Sequence, residues 1–280
     1  MAKIVGGITT SHIPAIGIAM AKGLQEDPYW KPFFDGYKPI QAWLENVKPD
    51  IAVIVYNDHG LNFFLDTVPT FAIGAAPHYQ NEDEGWGIPV LPTVQGNPEF
   101  SWHLIESVMA EEFDLTMCQE MVVDHGLMIP MTLMWDHTKS WPVEVVPLAV
   151  NVVQHPLPTA QRCYKLGQAL GRAIEAYGED KKVVVFGTGG MSHQLQGERS
   201  GFINKEFDRM FMDKMVDDPE ALAKLTMTEF LDQSGSEGAE LIMWLVMRGA
   251  LSEKVNLLHS NYHVPISNTA AGVMLLENTD

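Results

Sequence analysis

Four histidines follow apolar stretches, most of which read as buried strands. They are His12, His59, His125 and His193. Open α/β sheets carry their chemistry at the carboxyl ends of strands, so these side chains from distant parts of the chain are expected to meet there. Imidazole binds transition metals and transfers protons near neutral pH. The pattern therefore predicts a metal site or an acid–base site built from separate loops.

A carboxylate in an apolar setting adds a further ligand. Glu240 stands next to apolar residues of a predicted helix, and a buried carboxylate is stable only with a partner cation. Glu237 is a rival, but its place in the first helical turn is explained by the helix dipole. Two histidines with one carboxylate form the facial arrangement of non-heme Fe(II) oxygenases. The residues alone leave open which histidines bind the metal and which stay free.

Three other kinds of site are disfavoured. Cys118 and Cys163 are too few for a disulfide framework, lack the spacing of a zinc site, and are both expected in the core. The glycine-rich turn at 187–190 lacks the G-x-G-x-x-G spacing of a dinucleotide site. Ser192 and His193 are adjacent in sequence and no G-x-S-x-G elbow occurs, which argues against a serine hydrolase.

The net charge of the chain limits the kinds of partner it can bind. The 36 acidic and 18 basic residues give a formal net charge of −18, which argues against nucleic acid and anionic membranes. An anionic substrate would need a locally positive or metal-bearing pocket. The longest apolar run, residues 241–247, is too short to span a bilayer, and glycines interrupt the amino terminus before a signal peptide could form. A cytoplasmic protein is expected.

The elements that position these residues read as one α/β domain over residues 1–280, with a central mixed β-sheet flanked by helices and an active site at strand ends. Strands are predicted at 4–9, 51–56, 68–73, 143–150, 183–186, 255–258 and 269–276, and 115–123 is ambiguous. Helices are predicted at about 97–112, 127–135 and 159–177, and from Ser234 or Ser236 to Arg248, with Gly249 as the stop. Residues 77–98 are predicted to be an irregular excursion.

Seven motifs carry a family resemblance over nearly the whole chain. They are Thr-Ser-His-Ile-Pro-Ala at 10–15, Val-Tyr-Asn-Asp-His at 55–59, Asp-Glu-Gly-Trp-Gly at 83–87, Asp-His-Gly at 124–126, Gly-Thr-Gly-Gly-Met-Ser-His-Gln-Leu-Gln-Gly at 187–197, Gly-Ser-Glu-Gly-Ala-Glu-Leu at 235–241 and Ser-Asn-Thr-Ala at 267–270. In these motifs the chain resembles the catalytic (beta) subunits of protocatechuate 4,5-dioxygenase, which are class III extradiol ring-cleaving dioxygenases.

The resemblance implies roles for particular residues. Fe(II) would be bound by His12, His59 and Glu240. His193 matches the catalytic acid/base of the family, so the histidine that first looked like the centre of a metal site becomes an unligated base.

A second group of residues matches the substrate side of the family's site. His125 matches a histidine near the substrate hydroxyl, and Asn57, Ser267 and Asn268 match positions that line the substrate pocket.

The implied reaction opens a catechol ring beside its two hydroxyls. For protocatechuate and O2 the product would be 4-carboxy-2-hydroxymuconate semialdehyde. Residues 1–7 and 197–202 look closer to gallate dioxygenases, so gallate or 3-O-methylgallate is an alternative substrate. The chain ends at Asp280 without an extension, which favours a separate small alpha subunit and a higher oligomer. A noncatalytic family member and a zinc-dependent hydrolase are the alternatives from other classes.

Overall fold

Eight strands pair into one mixed sheet at the centre of the computed structural model, which describes residues 1–266 and 268–279. In chain order the strands are β1 (Lys3–Thr10), β2 (Ile51–Tyr56), β3 (Phe71–Gly74), β4 (His78–Asn81), β5 (Val94–Gln95), β6 (Thr116–Cys118), β7 (Val122–Val123), β8 (Glu144–Val150), β9 (Lys182–Thr188), β10 (Val255–Ile266) and β11 (Thr269–Asn278). The sheet order is β10-β11-β1-β9-β2-β8-β3-β6, and β5, β4 and β7 form a smaller sheet.

Helices cover both faces of the large sheet. They are α1 (Pro14–Ala21), α2 (Lys31–Asp35), α3 (Lys38–Val47), α4 (Pro98–Ala110), α5 (His125–Met134), α6 (Ala160–Ala176), α7 (Lys205–Asp217), α8 (Pro219–Ala223), α9 (Met227–Ser234) and α10 (Leu241–Ala250), with a 3-10 turn at Glu237–Glu240. Among the described residues, none of the helices combines the length and apolar character needed to cross a membrane.

The apolar run of β2 shows how the two cores arise. Successive side chains of a strand point to opposite faces, so a strand covered on both sides must be apolar throughout. Val53 and Val55 pack into one core with residues of α4, α6 and α10. Ile54 and Tyr56 pack into the other core with residues of α3 and α5. The predicted α/β fold with a central mixed sheet flanked by helices is confirmed.

Parallel pairing brings the loops of interest to one edge of the sheet. β1 pairs with β9, β9 with β2, and β2 with β8, all in parallel. Thr10 lies opposite Thr188, and Val55 lies opposite Gly187, so these strands end level with one another. The loops that follow them carry His12, His59 and His193.

Several predicted elements agree closely with the structure. The predicted strand 51–56 has the same bounds as β2. Asn97 and Thr159 begin α4 and α6, because their side chains accept the N–H groups of Phe100 and Arg162. Cys163 is buried as predicted.

Other predicted elements are corrected by the structure. Segment 77–98 contains β4 and β5, segment 115–123 splits into β6 and β7, and the strand predicted at 68–73 begins only at Phe71. The helix predicted at 127–135 begins at His125, and the strand predicted at 255–258 continues to Ile266. Cys118 is partly exposed rather than in the core. Pairing with other strands extends β10 and divides segment 115–123, which local pattern does not reveal. α5 begins at His125 because the Asp124 side chain accepts the N–H of Gly126.

The helix predicted to start at Ser234 or Ser236 is also corrected. Ser234 is the last residue of α9, and Ser236 makes no capping hydrogen bond. Gly235 adopts a φ of 86°, which ends α9 and lets the chain turn into the 3-10 segment. Gly249 lies within α10 rather than stopping it. Glu240 is therefore the last residue of a 3-10 turn and not part of the apolar helix.

A buried arginine links α10 by hydrogen bonds to α7 and to the segment that follows α10. Arg248 is fully buried, and its guanidinium donates to the carbonyl oxygens of Met215, Ser252 and Glu253 at 2.6, 2.9 and 2.8 Å. The planar fork reaches the three acceptors from three different nitrogens, a geometry that the single ammonium of lysine does not reproduce. The buried guanidinium of Arg248 thus provides the hydrogen-bond donor for three backbone carbonyls, one in α7 and two just after α10.

We expect Arg248→Lys to lower the free energy of unfolding by about 1–3 kcal/mol, because a buried ammonium cannot replace all three hydrogen bonds of the buried guanidinium. Urea unfolding followed by circular dichroism measures the change. Arg172→Lys is the matched control, since Arg172 pairs with Glu111 at the exposed surface and such pairs contribute less than about 1 kcal/mol. Equal losses in the two variants would contradict this account of Arg248.

Candidate active site

His12 enters the site directly after β1. Its side chain is buried, and Nδ1 lies 3.0 Å from Oγ1 of Thr188 at the end of β9. Burial lowers the pKa of His12, which favours the neutral ring. When Nδ1 donates to the Thr188 hydroxyl, Nε2 presents a lone pair. This Nε2 is buried and has no hydrogen-bond partner within the described residues.

His59 follows β2 and is held by Asp124. The backbone N–H and Nδ1 of His59 donate to Oδ2 of Asp124 at 2.6 and 3.0 Å. Since a carboxylate only accepts, Nδ1 carries a proton, and Nε2 lies on the other side of the ring, 3.0 Å from Nδ2 of Asn57. Burial favours the neutral ring, but the charge and hydrogen bond of Asp124 outweigh it and raise the pKa of His59 to about 9.

Asp124 is an orienting residue rather than a ligand. It begins α5, where its Oδ1 accepts the N–H of Gly126 at 2.8 Å. Burial disfavours the charge of Asp124, but His59 lowers its pKa to about 2. The side chains of His59, Asp124 and His125 are close enough to hold a metal ion. Both oxygens of Asp124 are nevertheless engaged, so the carboxylate serves to orient His59.

Glu240 reaches the site from the 3-10 turn. Its Oε2 accepts the N–H of Gly190 at 2.6 Å, and its Oε1 lies 3.4 Å from Nε2 of His12. Burial opposes ionisation, but the neighbouring imidazoles, His12 first, hold the pKa of Glu240 well below its usual range. A Cβ on Gly189, whose φ is +127°, would lie 2.7 Å from Cβ of Glu240. The glycine turn thus allows this close approach.

The three predicted ligands meet in one place. One ligand atom each from His12, His59 and Glu240 lies within 4.8 Å of the other two. Nε2 of His12 tests the fit to a metal: it is buried, makes no hydrogen bond and lies 3.4 Å from Oε1 of Glu240. A neutral imidazole lone pair and a carboxylate oxygen so close together are costly unless a cation lies beside both. Two imidazoles and one carboxylate on one side of an open cavity fit a divalent transition metal.

His193 faces this group from the turn after β9. Its backbone N–H donates to the carbonyl of Ser234 at 2.8 Å, and its Nδ1 donates to the carbonyl of Met191 at 2.7 Å. The neutral ring therefore keeps its lone pair on Nε2, which lies 4.0 Å from Oε2 of Glu240. His193 is placed to accept a proton beside the predicted ligands.

His125 is the first residue of α5 and is anchored by Glu84. Its backbone N–H and Nδ1 each donate to the Glu84 carboxylate at 2.7 Å. The ring of His125 lies against that of His59, with 4.0 Å between the centroids, and 6.2 Å from the ring of Trp86. Its Nε2 is thus free for a ligand in the cavity.

The four histidines His12, His59, His125 and His193, together with Glu240, line one cavity of about 850 Å³. Asn57 lines it, and its Nδ2 lies 3.0 Å from Nε2 of His59. Asn268 is exposed in the turn between β10 and β11, whereas its neighbour Thr269 lines the cavity. Ser267 lies outside the described residues. Apolar side chains complete the wall, among them Ile13, Ile18, Leu61, Val152 and Leu157.

Sequence reasoning missed the residues that orient the site. Glu84 lies in a segment predicted to be irregular, and Asp124 had no assigned role. A signal for Asp124 was present, because the tripeptide Asp-His-Gly occurs at both 58–60 and 124–126. Thr188, which contacts His12, lies in the motif at 187–197 but had no assigned role.

Comparison with known proteins identifies the family. The family described as "Catalytic LigB subunit of aromatic ring-opening dioxygenase" matches residues 6–274. The chain belongs to this LigB family. A gallate dioxygenase from Pseudomonas putida is 50% identical over 198 residues, covering 71% of the chain and 58% of the relative. A 2,3-dihydroxyphenylpropionate/2,3-dihydroxicinnamic acid 1,2-dioxygenase from Photorhabdus laumondii is 28% identical over 202 residues, covering 72% of the chain and 60% of the relative.

The LigB-family chain thus spans about three fifths of the length of these two relatives. A crystal structure of an uncharacterized protein from Escherichia coli K12 has the same fold, with a TM-score of 0.60 at 13% identity. The match covers 97% of this chain and 99% of the other. The resemblance to ring-cleaving dioxygenases stated from the motifs is confirmed at the level of the family, and the relative at 50% identity is a gallate dioxygenase rather than a protocatechuate enzyme.

Metal affinity should rise with pH. Only a neutral His59 can coordinate through Nε2, and its pKa of about 9 means that binding near pH 7 displaces a proton. Glu240 is already ionised and His12 already neutral in this range, because both pKa values are lowered. We expect the dissociation constant for a divalent transition metal, measured by anaerobic titration, to fall about tenfold per pH unit from about pH 7 to pH 9.

Asp124→Asn is the matched control for this pH dependence. Without the carboxylate, the pKa of His59 should return toward its ordinary value, and the slope above about pH 7 should flatten. Parallel slopes in the two proteins would contradict the role of Asp124.

Proposed function

We propose that this chain is the catalytic part of an Fe(II)-dependent extradiol dioxygenase that opens the ring of a carboxylated catechol, with gallate as the first candidate. The observation that carries the proposal is the buried, unpaired Nε2 of His12, which faces Glu240 in a cavity also lined by His59 and His193. The sequence motifs favoured protocatechuate. The 50% identity to a gallate dioxygenase supports gallate, the alternative substrate, as the first candidate. Protocatechuate and 3-O-methylgallate are the next candidates.

The proposed metal ligands are His12, His59 and Glu240. Fe(II), when bound, would lower the pKa of a coordinated phenol and allow electrons to pass from the ring to O2. The three side chains approach from the sheet edge and leave the cavity side open. Thr188 and Asp124 hold the two rings through their Nδ1 atoms, and the Gly190 N–H holds Glu240. The site is thereby organised before any ligand arrives.

His193 is the proposed acid/base. Its Nε2 lone pair faces the cavity because Nδ1 is bonded to the Met191 carbonyl. It would take the proton from a substrate hydroxyl as the catechol binds and return it as the ring opens. A positioned general base contributes about 10²–10⁴-fold in rate.

His125 and Asn57 are the proposed substrate contacts. Glu84 fixes the ring of His125 and leaves Nε2 toward the cavity, where it can bond the second hydroxyl. Asn57 is buried beside His59 and can bond a hydroxyl through its amide. Ser267 and Asn268, taken from the family motif, remain predicted substrate residues.

The charge of the cavity bears on the substrate class. Glu84, Glu237 and Glu240 line it, and within the described residues no lysine or arginine does so. In a chain of net charge −18, an anionic carboxylated catechol requires compensation inside the site. A divalent cation and the histidine side chains are the groups that would provide it.

We also propose that a second polypeptide, expected as a small alpha subunit, covers the cavity. Trp86, Val153 and Leu195 line the cavity and are 50, 54 and 50% exposed. Apolar side chains at a cavity mouth gain stability when a partner removes them from water. The family resemblance also leads us to expect a higher oligomer.

We expect the protein reconstituted anaerobically with Fe(II) to consume O2 when gallate is added, more rapidly than with protocatechuate or 3-O-methylgallate. An oxygen electrode and the absorbance of the ring-opened product measure this, with and without candidate small subunits. Metal analysis of protein purified without added metal accompanies the assay. Zinc in the site with no oxygen uptake for any catechol would favour a hydrolase and overturn the proposal.

His193→Ala should retain iron and lose turnover by about 10²–10⁴-fold, because the base is not a ligand. His12→Ala should lose iron, because it removes one of three proposed ligands. Iron content by absorption spectroscopy and kcat by oxygen uptake separate the two effects. His78→Ala, at an exposed histidine outside the cavity, is the control. Loss of iron from His193→Ala would make His193 a ligand instead.

A further inference from the structure

A buried carboxylate lies behind the turn that carries His193. Asp208, on α7, is fully buried, and three donors converge on it. The backbone N–H of Ser192 donates to Oδ1 at 2.8 Å, the hydroxyl of Ser192 donates to Oδ2 at 2.7 Å, and the hydroxyl of Tyr262 donates to Oδ2 at 2.7 Å. These contacts join α7, β10 and the glycine turn at one point.

The direction of these hydrogen bonds is determined by a fourth group. The backbone N–H of Asn204 donates to the Ser192 hydroxyl oxygen at 2.7 Å. An N–H group can only donate, so the hydroxyl proton of Ser192 is directed to Asp208. Burial raises the pKa of Asp208, and the donors from Ser192 and Tyr262 oppose that effect by stabilising the carboxylate. Both the backbone and the side chain of Ser192 are thus held by one group.

Ser192 lies in the chain between His193 and Met191, the residue whose carbonyl fixes the orientation of the His193 ring. Met191 provides the carbonyl that accepts from Nδ1 of His193, and its own N–H donates to Ala270 at 3.0 Å. A rotation of the Ser192 peptide would move both the ring and its anchoring carbonyl. A Cβ on Gly190 would lie 2.7 Å from Cε1 of His193, so the ring also packs closely against the turn.

We propose that Asp208, acting through Ser192, is a positioning residue that holds Nε2 of His193 in reach of the substrate hydroxyl. This inference rests on the proposed function for its kinetic consequence but not for its geometry. Asp208 is not among the residues that line the cavity, so it should affect the rate of proton transfer and not the binding of metal or substrate. Misplacement of a reacting group by about 1 Å can cost about 100-fold in rate.

Asp208→Asn preserves the size of the side chain and removes one acceptor. Its amide N–H groups would face the hydroxyls of Ser192 and Tyr262, so at least one donor loses its partner. We expect kcat to fall by about 10-fold to 100-fold, with KM and bound iron unchanged. Tyr262→Phe, which deletes one donor and leaves the carboxylate, should give a smaller fall in the same direction. Arg248→Lys is the control for general destabilisation and should leave kcat unchanged.

A second measurement reports the tautomer of the His193 ring. Long-range ¹H–¹⁵N correlation spectra of the metal-free full chain, labelled at histidine and assigned with His193→Gln, report which nitrogen carries the proton. The wild-type ring should show the Nδ1–H tautomer, and Asp208→Asn should show an averaged or altered pattern. If wild-type protein consumes no O2 with any catechol, the proposed function fails, and this spectrum alone decides the positioning role.

Two results would overturn the positioning role. One is a kcat for Asp208→Asn within about twofold of wild type, which is too small for a misplaced base. The other is an unchanged His193 spectrum, whatever happens to kcat. If Asp208→Asn does not fold, the same comparison of kcat and spectrum is made with Tyr262→Phe.

Discussion

The parallel register of β1, β9 and β2 is the constraint on which the site depends. Thr10 lies opposite Thr188, and Val55 lies opposite Gly187, so three loops leave the sheet at one level. A slip of one residue in any strand would turn its side chains to the other face. It would also carry the attached histidine or glycine turn away from its neighbours. The apolar residues that fill both cores therefore determine the level at which the loops carrying His12, His59 and His193 leave the sheet.

The sheet brings the loops of the site together, and polar contacts then orient the individual side chains. Each proposed ligand has a further partner from another segment, namely Thr188 for His12, Asp124 for His59 and the Gly190 N–H for Glu240. The buried Glu240 carboxylate and the buried His12 ring would be unstable without these contacts. The partners hold one side of each group and turn the other side toward the cavity, where Nε2 of His12, Nε2 of His59 and Oε1 of Glu240 lie near one another. A cation would be bound most strongly among these three atoms.

Much of this fold could be predicted from local pattern, because an apolar run such as residues 51–56 is a property of neighbouring residues. The histidines and Glu240 could be proposed as a group for the same reason, since each histidine follows a recognisable apolar stretch and Glu240 stands beside apolar residues of a predicted helix. The residues that orient them could not. Asp124 lies 65 positions from His59, Glu84 lies 41 positions from His125, and Asp208 lies 16 positions from Ser192. Such pairings depend on tertiary geometry and have no local period.

The four histidines share one orientation and differ in what anchors them. Each uses Nδ1 toward the protein, to Thr188 for His12, Asp124 for His59, Glu84 for His125 and the Met191 carbonyl for His193. A carboxylate anchor adds negative charge that stabilises a cationic ring or a ring bound to a cation. A carbonyl anchor selects the tautomer without adding that charge. The Met191 carbonyl therefore leaves the Nε2 lone pair of His193 directed to the cavity, which is the geometry that the proposed role as acid/base requires.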